Sequence, residues 1–393
     1  MSGTDEAPVI LGNPPGSFAH GVLTRRNPAI VQQVRDALPR PPAHHRALDT
    51  LLVEITEGVV EPPAPEAHDR AAWDVWGRPH FGRPWPEVPF LWAESYFYRQ
   101  LLSAVDYFGP GPWRGVDPFG PAKAAELEGA AVDAELAALD QLVGRPAGER
   151  RAALLGASLW GNRADLSFAA GGAATGGGAG DAPLVADDQA ALWSLLDGRA
   201  PAEVAFVADN AGRELVPDLV LIDHLLDEGG AARVALHIKP VPYYVSDATT
   251  ADVVAALRRL RAAPGQAGAV GERLWAAVAT GRLTVDAHPF LCAPLPFDGM
   301  PDDLRRQLAG ADLTIVKGDL NYRRLVGDRR WPATSPFAAR TAAFPGPVAA
   351  LRTLKSDVIV GLTPETLAAL DSADTAEAPW RTGGSHALVQ VAS

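Results

Sequence analysis

Three residues carry the chemistry that is easiest to read in this chain: Asp209 and Asn210, directly after the apolar run 204–207, and Asp247, after a second such run at 233–238. Two carboxylates and one amide oxygen are hard donors. The set suits Mg²⁺ or Mn²⁺, with water and a substrate oxygen filling the remaining octahedral positions. An ordinary alternative fits both aspartates. Each stands ahead of a helical pattern, where an Asp side chain commonly accepts hydrogen bonds from the first free backbone amides as an N-cap.

The elements that must position these donors follow from periodicity. Residues 204–207 are short, apolar and partly β-branched, which predicts a buried strand of a parallel sheet. Leu215, Leu219, Ile222 and Leu226 then recur at the spacing of a helix packed on that sheet, with Pro217 tolerable in its first turn. Residues 233–238 predict a second strand, Lys239-Pro240-Val241-Pro242-Tyr243-Tyr244 a stiff extended exit, and 246–250 the start of a helix through Val253, Leu257 and Leu260. Open α/β sheets bind ligands beyond the carboxyl ends of their strands, so this pattern puts the donors on a functional rim. Downstream, a strand over 311–317 leads into a polar stretch that starts at Gly318, and residues 351–357 precede the apolar 358–362. Upstream, 158–165 adds a polar cluster after another apolar stretch.

Five segments together resemble a known family: Ser-Leu-Trp-Gly-Asn-Arg-Ala-Asp-Leu-Ser (158 to 167), Asp-Asn-Ala-Gly-Arg-Glu-Leu (209 to 215), His-Ile-Lys-Pro-Val-Pro-Tyr-Tyr-Val-Ser-Asp (237 to 247), Lys-Gly-Asp-Leu-Asn-Tyr-Arg (317 to 323) and Arg-Thr-Leu-Lys (352 to 355). In this order they look like the damage-control phosphatases, once called domain of unknown function 89, and within them subfamily III, the acidic-residue methyltransferase 1-like proteins. Weaker likeness covers 90–99, 111–119 and 380–384. The resemblance implies a three-layer α/β/α Rossmann-like catalytic core with a helical N-terminal portion. It implies a divalent metal on Asp209, Asn210 and Asp247, with Mn²⁺ foremost and Co²⁺, Ni²⁺ or Mg²⁺ as alternatives. It also places Asp319, Leu320, Asn321, Tyr322, Arg323 and Lys355 against a phosphorylated substrate, with Asp209, Asn210 and Lys355 as the catalytic group. The implied reaction is metal-assisted hydrolysis of small phosphomonoesters, sugar phosphates such as fructose 1-phosphate or fructose 6-phosphate foremost. An arginine fork and a lysine charge would neutralise the phosphoryl oxygens.

Glu94 and Asn162 are further substrate-binding candidates. Glu94 shares an aromatic-rich helix with Arg99, and a buried pair there fits a structural role and a sugar-hydroxyl clamp equally; Asp165 neighbours Asn162 in a glycine-containing turn. Residues 25–28 lie where the resemblance expects a stretch near the substrate, although their wording differs from the family's. Two other classes stay open: a protein-glutamate carboxyl O-methyltransferase using S-adenosylmethionine, and a non-catalytic ligand-binding relative. The first normally shows a glycine-rich strand-to-helix turn followed by an acidic ribose ligand, and no segment fits well. The second has little reason to keep the donor triad and Lys355.

Composition is consistent with this reading. A chain of 393 residues with 47% hydrophobic residues can bury a large core. Helical periodicity dominates residues 1–150, in 30–38, 47–59, 93–108 and 122–142, while strands and helices alternate over 151–393. These are the two expected domains. There is no membrane-length apolar run and no signal-peptide pattern. The single Cys292 excludes an internal disulfide framework, so a reducing cytoplasm is the simplest home. The net charge of −12 disfavours nucleic acid and anionic membranes as partners, and a phosphate substrate then requires a local basic pocket from Lys317, Arg323, Arg324, Arg352 and Lys355. The glycine-dense 169–181 lacks the ending of a phosphate-binding P-loop and reads as a flexible surface insertion. Oligomeric state is not legible.

Overall fold

A computed structural model describes residues 7–161, 184–375 and 378–393. Its centre is a seven-stranded sheet made of β1 (Leu184–Asp187), β2 (Ala202–Val207), β3 (Ala231–His237), β4 (Leu283–Asp286), β5 (Leu313–Lys317), β6 (Val348–Thr353) and β7 (Ala387–Ala392). The spatial order is β1-β7-β6-β5-β2-β3-β4. All neighbouring pairs are parallel except β6 with β7. From β2 the chain winds outward through β3 and β4, then returns to lay β5 on the other side of β2. The order therefore reverses between β2 and β5. A crevice opens there beyond the carboxyl ends of the two strands, the place where such sheets bind ligands.

The strand sequences are apolar nearly throughout because both faces are covered. Val204 and Phe206 of β2 join one core cluster, while Ala205 and Val207 join the other, as the two-residue period of a strand requires. On the first face pack the helices Gly120–Leu127, Ala130–Ala138, Ala147–Trp160, Leu215–Asp227, Thr250–Ala262 and Gly265–Thr280. On the second lie Asn27–Ala37, Pro42–Glu57, Phe90–Ala104, Asp302–Ala309 and Asp319–Val326. The result is a three-layer α/β/α arrangement, as expected. The division expected near residue 150 falls inside helix Ala147–Trp160. The earlier helices share their core with the sheet: Ile30, Leu48 and Phe97 lie in one cluster with Val207 and Val316. The helix expected over 122–142 is broken at Gly129 into Gly120–Leu127 and Ala130–Ala138, with a 3₁₀ turn at Leu139–Leu142. No helix among the described residues is long and apolar enough to cross a membrane.

Candidate active site

The loops leaving β2 and β3 are fastened to each other at the crevice. The Ala248 amide donates to the Asp209 carbonyl at 2.8 Å and the Ala211 amide to the Ser246 carbonyl at 2.6 Å, and Asn210 and Asp247 form an isolated antiparallel bridge. This zipper sets Asp209, Asn210 and Asp247 side by side. Neither aspartate is a helix N-cap. The helices begin at Leu215 and Thr250, and the second has its own capping box of Thr249 and Asp252.

The turn that delivers Asp247 is under strain. Tyr244 and Val245 have φ of +47° and +68°, and for a β-branched residue this is an outlier that surrounding contacts must enforce. Helix Phe90–Ala104 does so: Tyr243 Oη donates to Ser95 Oγ at 2.6 Å and Tyr244 Oη to Glu94 Oε2 at 3.2 Å. From the β5 side Gly318, with φ of +92°, closes on Asp209. A Cβ on Gly318 would sit 2.0 Å from Asp209 Oδ2, so only glycine fits.

Burial, then each other's charge and that of Glu214, push the Asp209 carboxyl well above the ordinary range; burial does the same to Asp247, opposed by Lys239 and Lys123. Asp247 Oδ2 has no hydrogen-bond donor, and the nearest cation, Lys239 Nζ, stands 3.5 Å away. Asn210 Oδ1 accepts from Ser246 Oγ at 2.7 Å, which fixes the amide beside the two carboxylates. An orphaned buried oxygen on one of two neighbouring buried carboxylates suits a divalent cation, and hard oxygen donors suit Mn²⁺ or Mg²⁺. Among the described residues no group of three His, Cys, Asp or Glu could hold a metal, and the hard donors that meet here are two carboxylates and an amide.

A cavity of about 300 Å³ opens on this centre. Its wall includes Asp209, Asn210 and Asp247, and also Asp319, Leu320, Arg323, Lys355 and Glu94. Asn321 and Tyr322 lie behind it. The Asn321 amide donates to the Ala208 and Lys317 carbonyls and accepts from Lys239, while Tyr322 Oη donates to Gln390 at 2.9 Å. Asn162 and Asp165, with the glycine-dense 169–181, lie outside the described residues.

The cations are arranged differently from the sequence expectation. Arg323 gives Nε and Nη2 to Asp328 at 2.7 and 3.1 Å and Nη1 to Glu94 at 2.8 Å, so its fork is engaged by protein carboxylates. Glu94 therefore pairs with Arg323, and Arg99 with Asp69. Arg324 donates to the carbonyls of Phe290, Leu291 and Leu295, and Lys317 pairs with Asp218 at 3.2 Å, both away from the cavity. Arg352 Nε reaches Asp319 Oδ1 at 2.8 Å, and the same oxygen accepts the Lys355 amide at 3.0 Å. The Arg-Thr-x-Lys signature is thus a clamp: Arg352 and Asp319 hold the turn that presents Lys355. Lys355 Nζ lies 3.5 Å from Glu214 on a side chain 46% exposed. Burial raises the Glu214 carboxyl, but Lys355 and Lys317 outweigh it and hold Glu214 below its ordinary value.

Phe18, Arg26, Glu126, Glu214, Tyr244 and Ser246 also line the cavity. Arg26 ends the π-helical turn Val22–Arg26, a geometry frequent at functional sites. None of these six was singled out by residue type and spacing as a site residue. The resemblance held the signals: it expects 25–28, and so Arg26, near the substrate, and its segments 209–215 and 237–247 contain Glu214, Tyr244 and Ser246, whereas Phe18 and Glu126 lie in none of them.

A mostly parallel α/β sheet with acidic loops meeting at its reversal point builds a pocket lined by hard oxygen donors. Residues 22–370 match the model of the damage-control phosphatase ARMT1-like domain. The chain is 31% identical to damage-control phosphatase ARMT1 of Danio rerio, over 96% of this chain and 95% of that one, and 30% identical to the protein of the same name from Mus musculus, over 98% of each. A solved protein of the DUF89 family from Pyrococcus horikoshii superposes with a TM-score of 0.48 and 17% identity, covering 90% of this chain and 94% of that one. The chain belongs to the damage-control phosphatase ARMT1-like family.

Proposed function

We propose that this chain is a divalent-metal-dependent phosphatase that hydrolyses phosphomonoesters of small cytoplasmic metabolites, with sugar phosphates such as fructose 1-phosphate and fructose 6-phosphate as the substrate class. The observation that carries the metal is the buried, mutually repelling pair Asp209 and Asp247 with its orphaned oxygen. Family membership supports the phosphatase activity. Asp209, Asn210 and Asp247 would hold the cation, Mn²⁺ foremost. When bound, it supplies charge neutralisation to a phosphoryl oxygen and acidity to a water.

The chain's own residues do the rest. Lys355, half exposed and fixed at its backbone by Asp319, places an ammonium at the pocket wall to stabilise the equatorial oxygens of the phosphoryl group. Glu214, 3.5 Å from that ammonium, orients it. Arg323 acts at one remove, fixing Glu94, whose carboxylate then faces the cavity between Arg323 and Tyr244. The 300 Å³ volume suits a small monoester rather than a macromolecule.

The test is a substrate panel with Mn²⁺-loaded protein: 4-nitrophenyl phosphate, fructose 1-phosphate, fructose 6-phosphate and a nucleoside monophosphate. Turnover of the sugar phosphates with the highest kcat/KM is expected. Release of phosphate from none of them would contradict the proposal.

A further inference from the structure

Among the described residues, Glu126 is the cavity-lining carboxylate with neither a hydrogen bond nor an ion pair. The others are engaged: Glu94 by Arg323, Glu214 by Lys355, Asp319 by Arg352, Asp209 by the Asn210 amide and Asp247 by Lys239. Glu126 is exposed, yet its position is fixed. It stands one turn after Lys123 on helix Gly120–Leu127, and Lys123 Nζ donates to the Asp247 carbonyl at 2.9 Å, to Asp252 at 3.0 Å and to Asp117 at 3.0 Å. The helix is thereby tied to the same loop that carries Asp247.

Space for the glutamate is provided by Gly212, whose φ is +59° and whose missing side chain leaves room for it. A Cβ there would lie 2.6 Å from Glu126 Oε2. Glu126 is also within the electrostatic reach of Glu214, Arg213 and Lys355, which places it beside the residue that would meet the phosphate.

We propose that Glu126 reads the part of the substrate that is not phosphate. An ionised carboxylate only accepts hydrogen bonds, so it is satisfied by the hydroxyls of a polyhydroxylated monoester and opposed to a second phosphate. The pocket then favours sugar monophosphates over bisphosphates, because a bisphosphate sets like charges together in a confined site and a hydroxyl-free ester leaves the carboxylate unpaired. This rests on the phosphatase reading and adds a specificity-determining residue to it.

The experiment compares Mn²⁺-loaded wild type, Glu126→Gln and Glu126→Ala on 4-nitrophenyl phosphate, fructose 1-phosphate and fructose 1,6-bisphosphate. In Glu126→Gln, which keeps shape and loses charge, the ratio of kcat/KM for monophosphate over bisphosphate falls about tenfold. In Glu126→Ala the ratio for fructose 1-phosphate over 4-nitrophenyl phosphate falls about tenfold as well. Both ratios unchanged within about twofold, in variants that still hydrolyse the aryl ester, would overturn the role of Glu126 alone. A wild type that hydrolyses none of the three would overturn the phosphatase reading and this proposal with it.

Discussion

Asp209 and Asp247 are destabilising neighbours in the metal-free chain. Burial raises both carboxyls, and the charges of Asp247 and Glu214 raise Asp209 further, so the folded state holds protons there that the unfolded chain releases. The sign follows from linkage: this contribution is greatest below the ordinary carboxylate value, falls as pH rises from there to the raised values, and is gone above them. Asp209→Asn removes one of the two charges. In chelator-treated protein at pH 8 it should therefore be more stable than wild type by about 1 to 3 kcal/mol in urea unfolding, with a flatter pH profile. Saturating Mn²⁺ should reverse the ranking, since a ligand at a hundred times its Kd adds about 2.7 kcal/mol to the form that binds it. A variant that is less stable than wild type without metal would contradict the repulsion. Residue types alone left these aspartates divided between metal ligand and N-cap. What sequence could not show is where the helices start, several residues further on, because the zipper of 209–211 against 246–248 is tertiary.

Between elements, the strained Tyr244–Val245 turn links the site to helix Phe90–Ala104. Tyr243 and Tyr244 are held by Ser95 and Glu94, and Glu94 in turn by Arg323 from helix Asp319–Val326. Loosening this brace should misplace Asp247 without emptying the pocket. Tyr243→Phe, which loses only the bond to Ser95, is expected to cost about 1 kcal/mol of stability and to weaken Mn²⁺ binding by about tenfold in calorimetric titration. Unchanged Mn²⁺ affinity would mean that the turn is held by something else. The Lys-Pro-Val-Pro-Tyr-Tyr segment was legible as a stiff exit from β3, but its left-handed backbone was not, since neither Tyr nor Val favours it. The Arg323 fork was legible as a phosphate binder only because Asp328 and Glu94, five residues and a whole domain's length away, cannot be seen as its partners from spacing.

Across the whole molecule, the alternation of apolar runs and helical stripes predicts the parallel core, and the strands expected at 204–207, 233–238 and 311–317 are found as β2, β3 and β5 with bounds shifted by one or two residues. The order of strands was not accessible, because register and crossover depend on which faces find partners. It is that order, with β5 returning beside β2, that brings Gly318 onto Asp209 and Asp319 to the same crevice. Nor could periodicity show that the early helices cover the second face of the sheet and share its core. The net charge of −12 makes a local basic pocket necessary for a phosphate, and the exposed cations that line the cavity are Lys355 and Arg26, beside an acidic centre. The decisive measurement is hydrolysis of 4-nitrophenyl phosphate by metal-stripped wild type, Asp209→Ala and Asp247→Ala, each before and after Mn²⁺ is restored. Activity that returns only in the wild type, with both variants lower by about a hundredfold or more, is the expected result. Full activity without metal, or equal rescue of either variant, would contradict the assignment of the metal to these carboxylates.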